Sequence, residues 1–257
     1  MSAITAPLET GNAHTAPNGL ARVLRVVKLH FVNATGVVWM PLMIFAAIFL
    51  VNWALWLLIT LSAGSEGLER GTSWSGASSF IFVYMLVVAV QAMNLTFSFA
   101  LGLGSTRRDY ALGTGVAFLG LAAVWAVILG VMAWLEELTN GWWLGGRMFA
   151  AIYFGDDGSL ARTWYVFLIF LFFMALGAVA GALWLRWKQW GLLTFGVSMA
   201  AVIIGALAII GLNQAWPQVG EFFMRVGWAG GYPLLLIPTV IASVIAFLLL
   251  RRAPART

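Results

Sequence analysis

Long apolar runs separated by short polar segments dominate the chain. Six runs reach the length of about 20 residues that a helix needs to cross the hydrocarbon of a bilayer. They lie near residues 37–61, 80–103, 112–135, 164–186, 191–212 and 232–250, and charged residues are absent from their interiors. The pattern predicts an all-α membrane protein, a six-transmembrane-helix bundle over residues 35–250.

A different pattern precedes the first run. Apolar residues recur at helical spacing from Leu20 to Phe31, whereas Arg22, Arg25 and Lys28 fall on the other side. A short basic amphipathic helix prefers the headgroup layer, where its cations meet anionic lipid. We therefore expect an N-terminal amphipathic interfacial helix at residues 18–34; the alternative is a simple lead-in to the first span.

Two further segments complete the expected organisation. Residues 1–17 are rich in Ala, Thr and Pro without an apolar core, which favours a disordered tail and not a signal peptide. Residues 213–231 carry Trp216, Pro217, Phe222, Phe223 and closely spaced glycines. They indicate a short outer re-entrant helical segment between spans five and six.

Composition agrees with this interpretation and narrows the chemistry. The 257 residues are 62% hydrophobic and 9% charged, with a mean hydropathy of +0.95, whereas soluble domains are about one quarter charged. The chain has no cysteine, which excludes disulfides, thiol nucleophiles and thiolate metal sites.

The distribution of basic residues predicts the orientation. With six spans, ten of the 14 lysines and arginines fall on one side, and only Arg70, Arg147, Arg162 and Arg225 fall on the other. By the positive-inside rule the basic side is cytoplasmic, so both termini, including a tail at residues 251–257, are expected there.

No catalytic constellation stands out. His14 and His30 are far apart and are expected to be incidental, and the glycine-rich stretches lack the Lys-Ser or Lys-Thr of a phosphate-binding loop. We expect no metal, no cofactor and no ATP hydrolysis in this chain. The paired carboxylates Glu136–Glu137 and Asp156–Asp157 could hold a cation, but solvated loop charge is the favoured interpretation.

Polar side chains within the spans are few. Gln91, Asn94 and Ser98 share one face of the second span, and Asn52 lies in the first. Because an unpaired amide is costly in lipid, this face must meet another helix or line a transport route, and both remain open. Small residues at Gly177 and Gly181 predict close helix packing in the fourth span.

The segment between spans two and three carries the densest polarity: Arg107, Arg108, Asp109 and Tyr110 follow Gly104-Ser105-Thr106. These arginines could simply anchor helix ends. However, residues 104–114 read G-x-T-R-R-x-aromatic-x-x-G-T, which, together with the topology, resembles the permease subunits of type-two ABC transporters, most closely actinobacterial ones.

This resemblance implies a function. Arg107, Arg108, Asp109 and Tyr110 would couple the permease to a separate ATP-binding-cassette ATPase subunit, which would bind ATP and Mg²⁺. A second permease copy or paralogue and membrane lipid are the other expected partners, and nucleic acid is not one. The expected role is export of an amphipathic drug, lipid or peptide across a bacterial inner membrane.

Two other functions compete with export. One is a non-transport membrane scaffold, sensor or self-resistance protein, for which the same bundle would serve only as an interaction surface. The other is a membrane-embedded enzyme that acts on lipid. Such an enzyme would have to use the carboxylates at positions 136, 137, 156 and 157.

Overall fold

The structure, a computed structural model, describes residues 19–32, 35–64, 68, 72, 76–155 and 157–253. The expected tail at residues 1–17, the last residues of the expected tail at 251–257, and Arg70 and Asp156 lie outside the described residues. Every regular element in the described part is helical, as the apolar pattern predicts.

The described residues of the first half include four α-helices. A π-helical turn at Thr35–Trp39 precedes the second, and a 3₁₀ turn at Ala77–Ser79 precedes the third. The helices are α1 (Gly19–Phe31), α2 (Met40–Ala63), α3 (Phe80–Gly102) and α4 (Arg107–Leu138).

The second half begins with irregular chain that contains a left-handed turn at Gly141–Gly145, where φ is 57° at Trp142 and 64° at Trp143, and a 3₁₀ turn at Ile152–Phe154. The helical run Ser159–Leu212 follows and is interrupted at Lys188. We call its two parts α5 (residues 159–187) and α6 (residues 189–212). After them come α7 (Trp216–Gly231), which is interrupted at Gly227 (φ 65°, ψ −174°), a 3₁₀ turn at Tyr232–Leu235, and α8 (Leu236–Arg251).

The chain reverses at Lys188. Its backbone has φ 56° and ψ −138°, which is not helical. A Cβ at Gly191 would lie 2.7 Å from the carbonyl oxygen of Leu183, although eight residues of continuous helix would separate them by about 12 Å. α6 therefore folds back against the end of α5.

Among the described residues, five helical segments are long and apolar enough to cross a membrane: Thr35–Ser62, Ala77–Gly102, Arg107–Leu138, Ser159–Leu212 and Trp216–Arg251. The chain is thus a multi-pass membrane protein, and its described part is all helical. Their exposed surfaces are rich in Leu, Ile, Val and Phe, which suits lipid contact and would be costly in water.

The core lies where α5 packs between α3 and α4. A Cβ at Gly177 would lie 2.4 Å from the carbonyl oxygen of Leu86, and one at Gly181 would lie 2.6 Å from Cβ of Met93. Any larger side chain would separate these backbones, so the predicted close packing at both glycines is confirmed. The contacted residue of α3 advances from Leu86 to Met93 as the contacting residue of α5 advances from Gly177 to Gly181, so α3 and α5 run in the same direction.

α6 differs from α5 in its surroundings. Gly191 is its one buried residue among those described, and Val202, Ile204 and Leu212 are largely exposed, Leu212 to 86%. The fold therefore leaves one whole apolar helix outside its core.

Candidate functional site

The turn between α3 and α4 is short and strongly held. Gly104 has φ +78°, a backbone conformation that favours glycine. Thr106 is extended and its Oγ1 accepts a hydrogen bond from the Asp109 amide at 3.1 Å, which caps the start of α4. The exposed part of the turn is formed by Leu103, Gly104 and Thr106.

Asp109 joins α4 to α1. Its Oδ2 lies 2.9 Å from Nε of Arg22, and the Asp109 side chain is largely buried while that of Arg22 is 39% exposed. Since α1 and α4 are 87 positions apart at this pair, the carboxylate serves to hold α1 against the start of α4.

Tyr110 joins α4 to α3. The side chain is fully buried, and its hydroxyl lies 2.9 Å from Oγ1 of Thr96 and 3.2 Å from the carbonyl oxygen of Ala92. Its ring meets that of Phe97 edge to face at 5.1 Å. A buried hydroxyl requires such partners, so the register of α4 on α3 is defined here.

Gly113 and Thr114 allow α1 to pack closely against α4. A Cβ at Gly113 would lie 2.6 Å from Cβ of Val26, so any side chain there would push α1 away. Thr114 Oγ1 lies 3.3 Å from Nε2 of His30, whose Nδ1 lies 3.0 Å from the carbonyl oxygen of Val26. His30 is buried, and this burial lowers its pKa below the ordinary value of 6.5.

Arg107 joins α4 to α8, because its Nη1 donates to the carbonyl oxygen of Arg251 at 2.7 Å. Arg108 is exposed. We call the inward-facing set the anchor cluster; it consists of Arg22, His30, Arg107, Asp109, Tyr110 and Thr114. It ties α1, α3, α4 and α8 together at one end of the bundle, which we call the basic end.

The four predicted coupling residues therefore differ in their exposure to solvent. Asp109 and Tyr110 are buried, Arg107 is half-buried, and only Arg108 lies on the surface. Reasoning from sequence included Gly113 and Thr114 in the motif without giving them a role. It expected His30 to be incidental, whereas His30 lies within hydrogen-bond distance of Val26 in α1 and Thr114 in α4. The available signal was that Val23, Val26 and His30 share one helical face of α1.

The amide face of α3 shows a mixed environment. Gln91 is exposed, while Asn94 and Ser98 are half-buried. Oδ1 of Asn94 is shielded from solvent and has no hydrogen-bond partner. Asn52 donates to the carbonyl oxygen of Ile48 in its own helix at 2.8 Å. Its amide is thus satisfied locally, whereas that of Asn94 is not.

Glu136, at the other end of α4, is not the solvated loop charge that the sequence favours. It is 1% exposed, and its carboxylate accepts hydrogen bonds from the amides of Met148, Phe149 and Ala150 at 2.8–3.2 Å. The Trp142 indole donates to it at 3.1 Å. By accepting these hydrogen bonds, the carboxylate holds the following loop over the end of α4.

We call this loop, residues 139–157, the cap. Rings of Phe49 and Trp142 meet at 4.7 Å, which seats the cap on α2. Glu137 Oε1 accepts from Nη1 of the buried Arg162 at 2.6 Å. Asp157 Oδ2 accepts from the Tyr165 hydroxyl at 2.7 Å. Glu136 and Asp157 thus hold the cap on the helices, and Glu137 joins α4 to α5.

No group of three or more His, Asp or Glu side chains in the described part of the chain is arranged to hold a metal ion. Comparison with known proteins identifies no relative: no family model, no curated protein and no solved structure matches the chain.

Proposed function

We propose that the chain is the permease subunit of an ABC transporter and exports an amphipathic drug, lipid or peptide. The observation that carries the proposal is the anchor cluster. Residues 104–114, which resemble the coupling motif, expose a turn and Arg108 while fastening the same segment to α1, α3 and α8. A partner that moves this turn would move three other helices.

The proposed topology has six spans, with α2, α3, α4, α5, α6 and α8 crossing a bacterial inner membrane. The reversal at Lys188 supports it, because 54 residues of helix would be about 80 Å long and the hydrocarbon is about 30 Å thick. Both termini then lie in the cytoplasm with the basic end. α7 lies at the outer interface as the re-entrant segment, and α1 lies in the inner headgroup layer.

In this mechanism a separate ATPase subunit binds ATP and Mg²⁺ and contacts the turn at Leu103–Thr106 together with Arg108. Asp109 and Tyr110 do not touch the ATPase. They transmit its movement to α1 and α3 through their buried contacts, and Arg107 transmits it to α8. Charge-assisted contacts give Arg108 its role in recognition.

Six spans supply half of a transporter. The exposed α6 and the amide face of α3 support a second permease copy or a paralogue as the other half. The unpartnered Oδ1 of Asn94 is costly inside the membrane. Because it is shielded in the single chain, a donor from the second subunit or from a route between the two reaches it only when α3 shifts.

Co-purification with a candidate ATP-binding-cassette ATPase tests the proposal. Arg108→Glu is expected to abolish ATPase association and transport while leaving the permease folded, as judged by size-exclusion chromatography. Arg225→Glu is the matched control, because it makes the same charge change at an exposed site on α7. Unchanged association and transport in Arg108→Glu would show that this surface is not the coupling surface.

The amide face has its own test. Asn94→Leu removes the polar group at nearly constant volume. Lost transport with an intact subunit pair would identify a route lining, whereas a dissociated pair would identify a packing contact. Normal transport and normal assembly together would assign Asn94 neither role.

A further inference from the structure

α1 and the turn after α3 enclose a groove of about 540 Å³ at the basic end. Its walls combine cations with apolar side chains. Three cations from successive turns of α1 line it, together with two leucines and a hydroxyl: Arg22, Arg25, Lys28, Leu29, Leu103 and Ser105. We propose that this groove binds the phosphate headgroup of an anionic phospholipid.

Charge is the first argument. Arg25 and Lys28 are exposed and line the same groove as Arg22. The nearby carboxylate, Asp109, is largely buried on the α4 side of Arg22, and none of the groove-lining residues is acidic. Three cations around one space attract a phosphate group, which accepts several charge-assisted hydrogen bonds at once.

The apolar part of the site favours a lipid over a soluble phosphate. Leu103 is 60% exposed at the rim, and Leu29 forms part of the wall. A free phosphate ion would gain nothing from these side chains, whereas the glycerol and first acyl carbons of a phospholipid would cover them.

The position of α1 in the membrane is the third argument, and it rests on the proposed function. One stripe of α1 is buried on α4 through Val26 and His30. A second stripe leaves Leu20, Leu24 and Phe31 exposed. Inserted into the lipid, this apolar stripe holds the groove at headgroup depth.

The lipid would also bear on coupling, because Ser105 and Leu103 belong to the turn that the ATPase is proposed to contact. A bound headgroup joins α1 to this turn from outside, in parallel with the internal Asp109–Arg22 pair. We expect the lipid to hold the turn in place, so that its removal weakens ATPase stimulation without preventing folding.

Native mass spectrometry of the purified chain with phosphatidylglycerol and phosphatidylcholine tests binding without reference to transport. We expect one phosphatidylglycerol per chain to be retained in preference to phosphatidylcholine. Arg25→Gln and Lys28→Gln should each lower its affinity about fivefold, the effect of one basic residue near an anionic surface. Arg252→Gln, an exposed cation at the same end outside the groove, should leave it unchanged.

A second variant distinguishes binding in the groove from general attraction of anionic lipid to the basic residues. Ser105→Trp fills the groove and leaves every charge in place, and it should abolish the preference for phosphatidylglycerol. Undiminished retention in Ser105→Trp, or an equal loss in Arg252→Gln, would overturn the site. Displacement of the lipid by millimolar inorganic phosphate would overturn the assignment to a phospholipid.

The two proposals can fail separately. Retention of phosphatidylglycerol by a chain that associates with no ATPase would leave the lipid site standing and refute the transporter. Association with an ATPase, with no preference among phospholipids, would support the transporter and refute the lipid site.

Discussion

The two ends of α4 each bury a carboxylate, and they use it differently. At the basic end Asp109 meets a half-exposed guanidinium from α1, 87 positions away. At the cap end Glu136 accepts from backbone amides only 12–14 positions further along the chain. One contact joins two helices through a partly exposed partner, and the other folds a local loop over a buried carboxylate.

The difference matters for what each end can do. An ion pair with an exposed partner contributes little, because water competes for both charges. It can therefore be broken and remade at low cost when a partner protein binds. A carboxylate that satisfies several buried donors is costly to disturb. We infer that the Asp109–Arg22 pair is the adjustable contact of α4 and that the Glu136 carboxylate makes the rigid one.

The largest effect is expected from Glu136→Ala. It leaves three amides and an indole without their acceptor, and each buried unpaired donor costs about 1–3 kcal/mol, so the cap should open. The chain lacks cysteine, so a cysteine placed at the buried Ala150 reports this as labelling by an impermeant maleimide. Glu221→Ala, at an exposed carboxylate, is the control. Persistent protection of position 150 in Glu136→Ala would contradict a rigid cap.

Gly113→Ala should give the next largest effect. The new methyl group would overlap Val26, so α1 must move away from α4. Hydrogen exchange of residues 19–31 should accelerate. Gly115→Ala is a matched control on the same helix, because a Cβ there meets nothing within 4 Å. Equal exchange in the two variants would show that α1 is not held by this contact.

A smaller effect is expected from acidification. Burial lowers the pKa of His30, so the undocked helix binds a proton more readily than the docked one. Docking is therefore strongest above about pH 6.5 and weakens as the pH falls below it. The groups that face His30 are Tyr110, Phe118 and Thr114, and none of them titrates between pH 5.5 and 7.5.

Hydrogen exchange of α1 at pH 7.5 and 5.5, corrected for the intrinsic rate, measures this effect. His30→Phe should remove the pH dependence while keeping a ring in the site. If the dependence survives in His30→Phe, another group is responsible for it.

Asp109→Asn should have the smallest effect on stability. Because Arg22 is 39% exposed, solvent screening limits the loss to less than about 1 kcal/mol. Thermal unfolding of the purified protein compares this variant with Glu136→Ala. A loss as large as that of Glu136→Ala would erase the contrast between the two ends of α4.

The sequence predicted the helices well, and the sites less well. The apolar runs end within about five residues of the helices, and the turn around Gly104 is where the polarity indicated. The glycines at 177 and 181 were recognised because small residues four positions apart share one helical face. The expectation for Glu136 was wrong, because the two adjacent acidic residues look alike in sequence and lie in the last turn of α4 instead of a loop. Only one of them is buried, since a backbone loop returns to it.

What the sequence indicates by itself is the class of the protein: the length of the apolar runs indicates membrane helices, and the distribution of cations predicts their orientation. These properties depend on the hydropathy and charge of each segment as a whole and not on the neighbours of any single residue. Only the tertiary structure decided which charges are internal. Asp109 and Tyr110 became contacts between helices, Arg108 stayed outside, and Glu136 became the centre of the cap. Such outcomes depend on which distant backbone atoms arrive beside a side chain, and local composition does not contain that information.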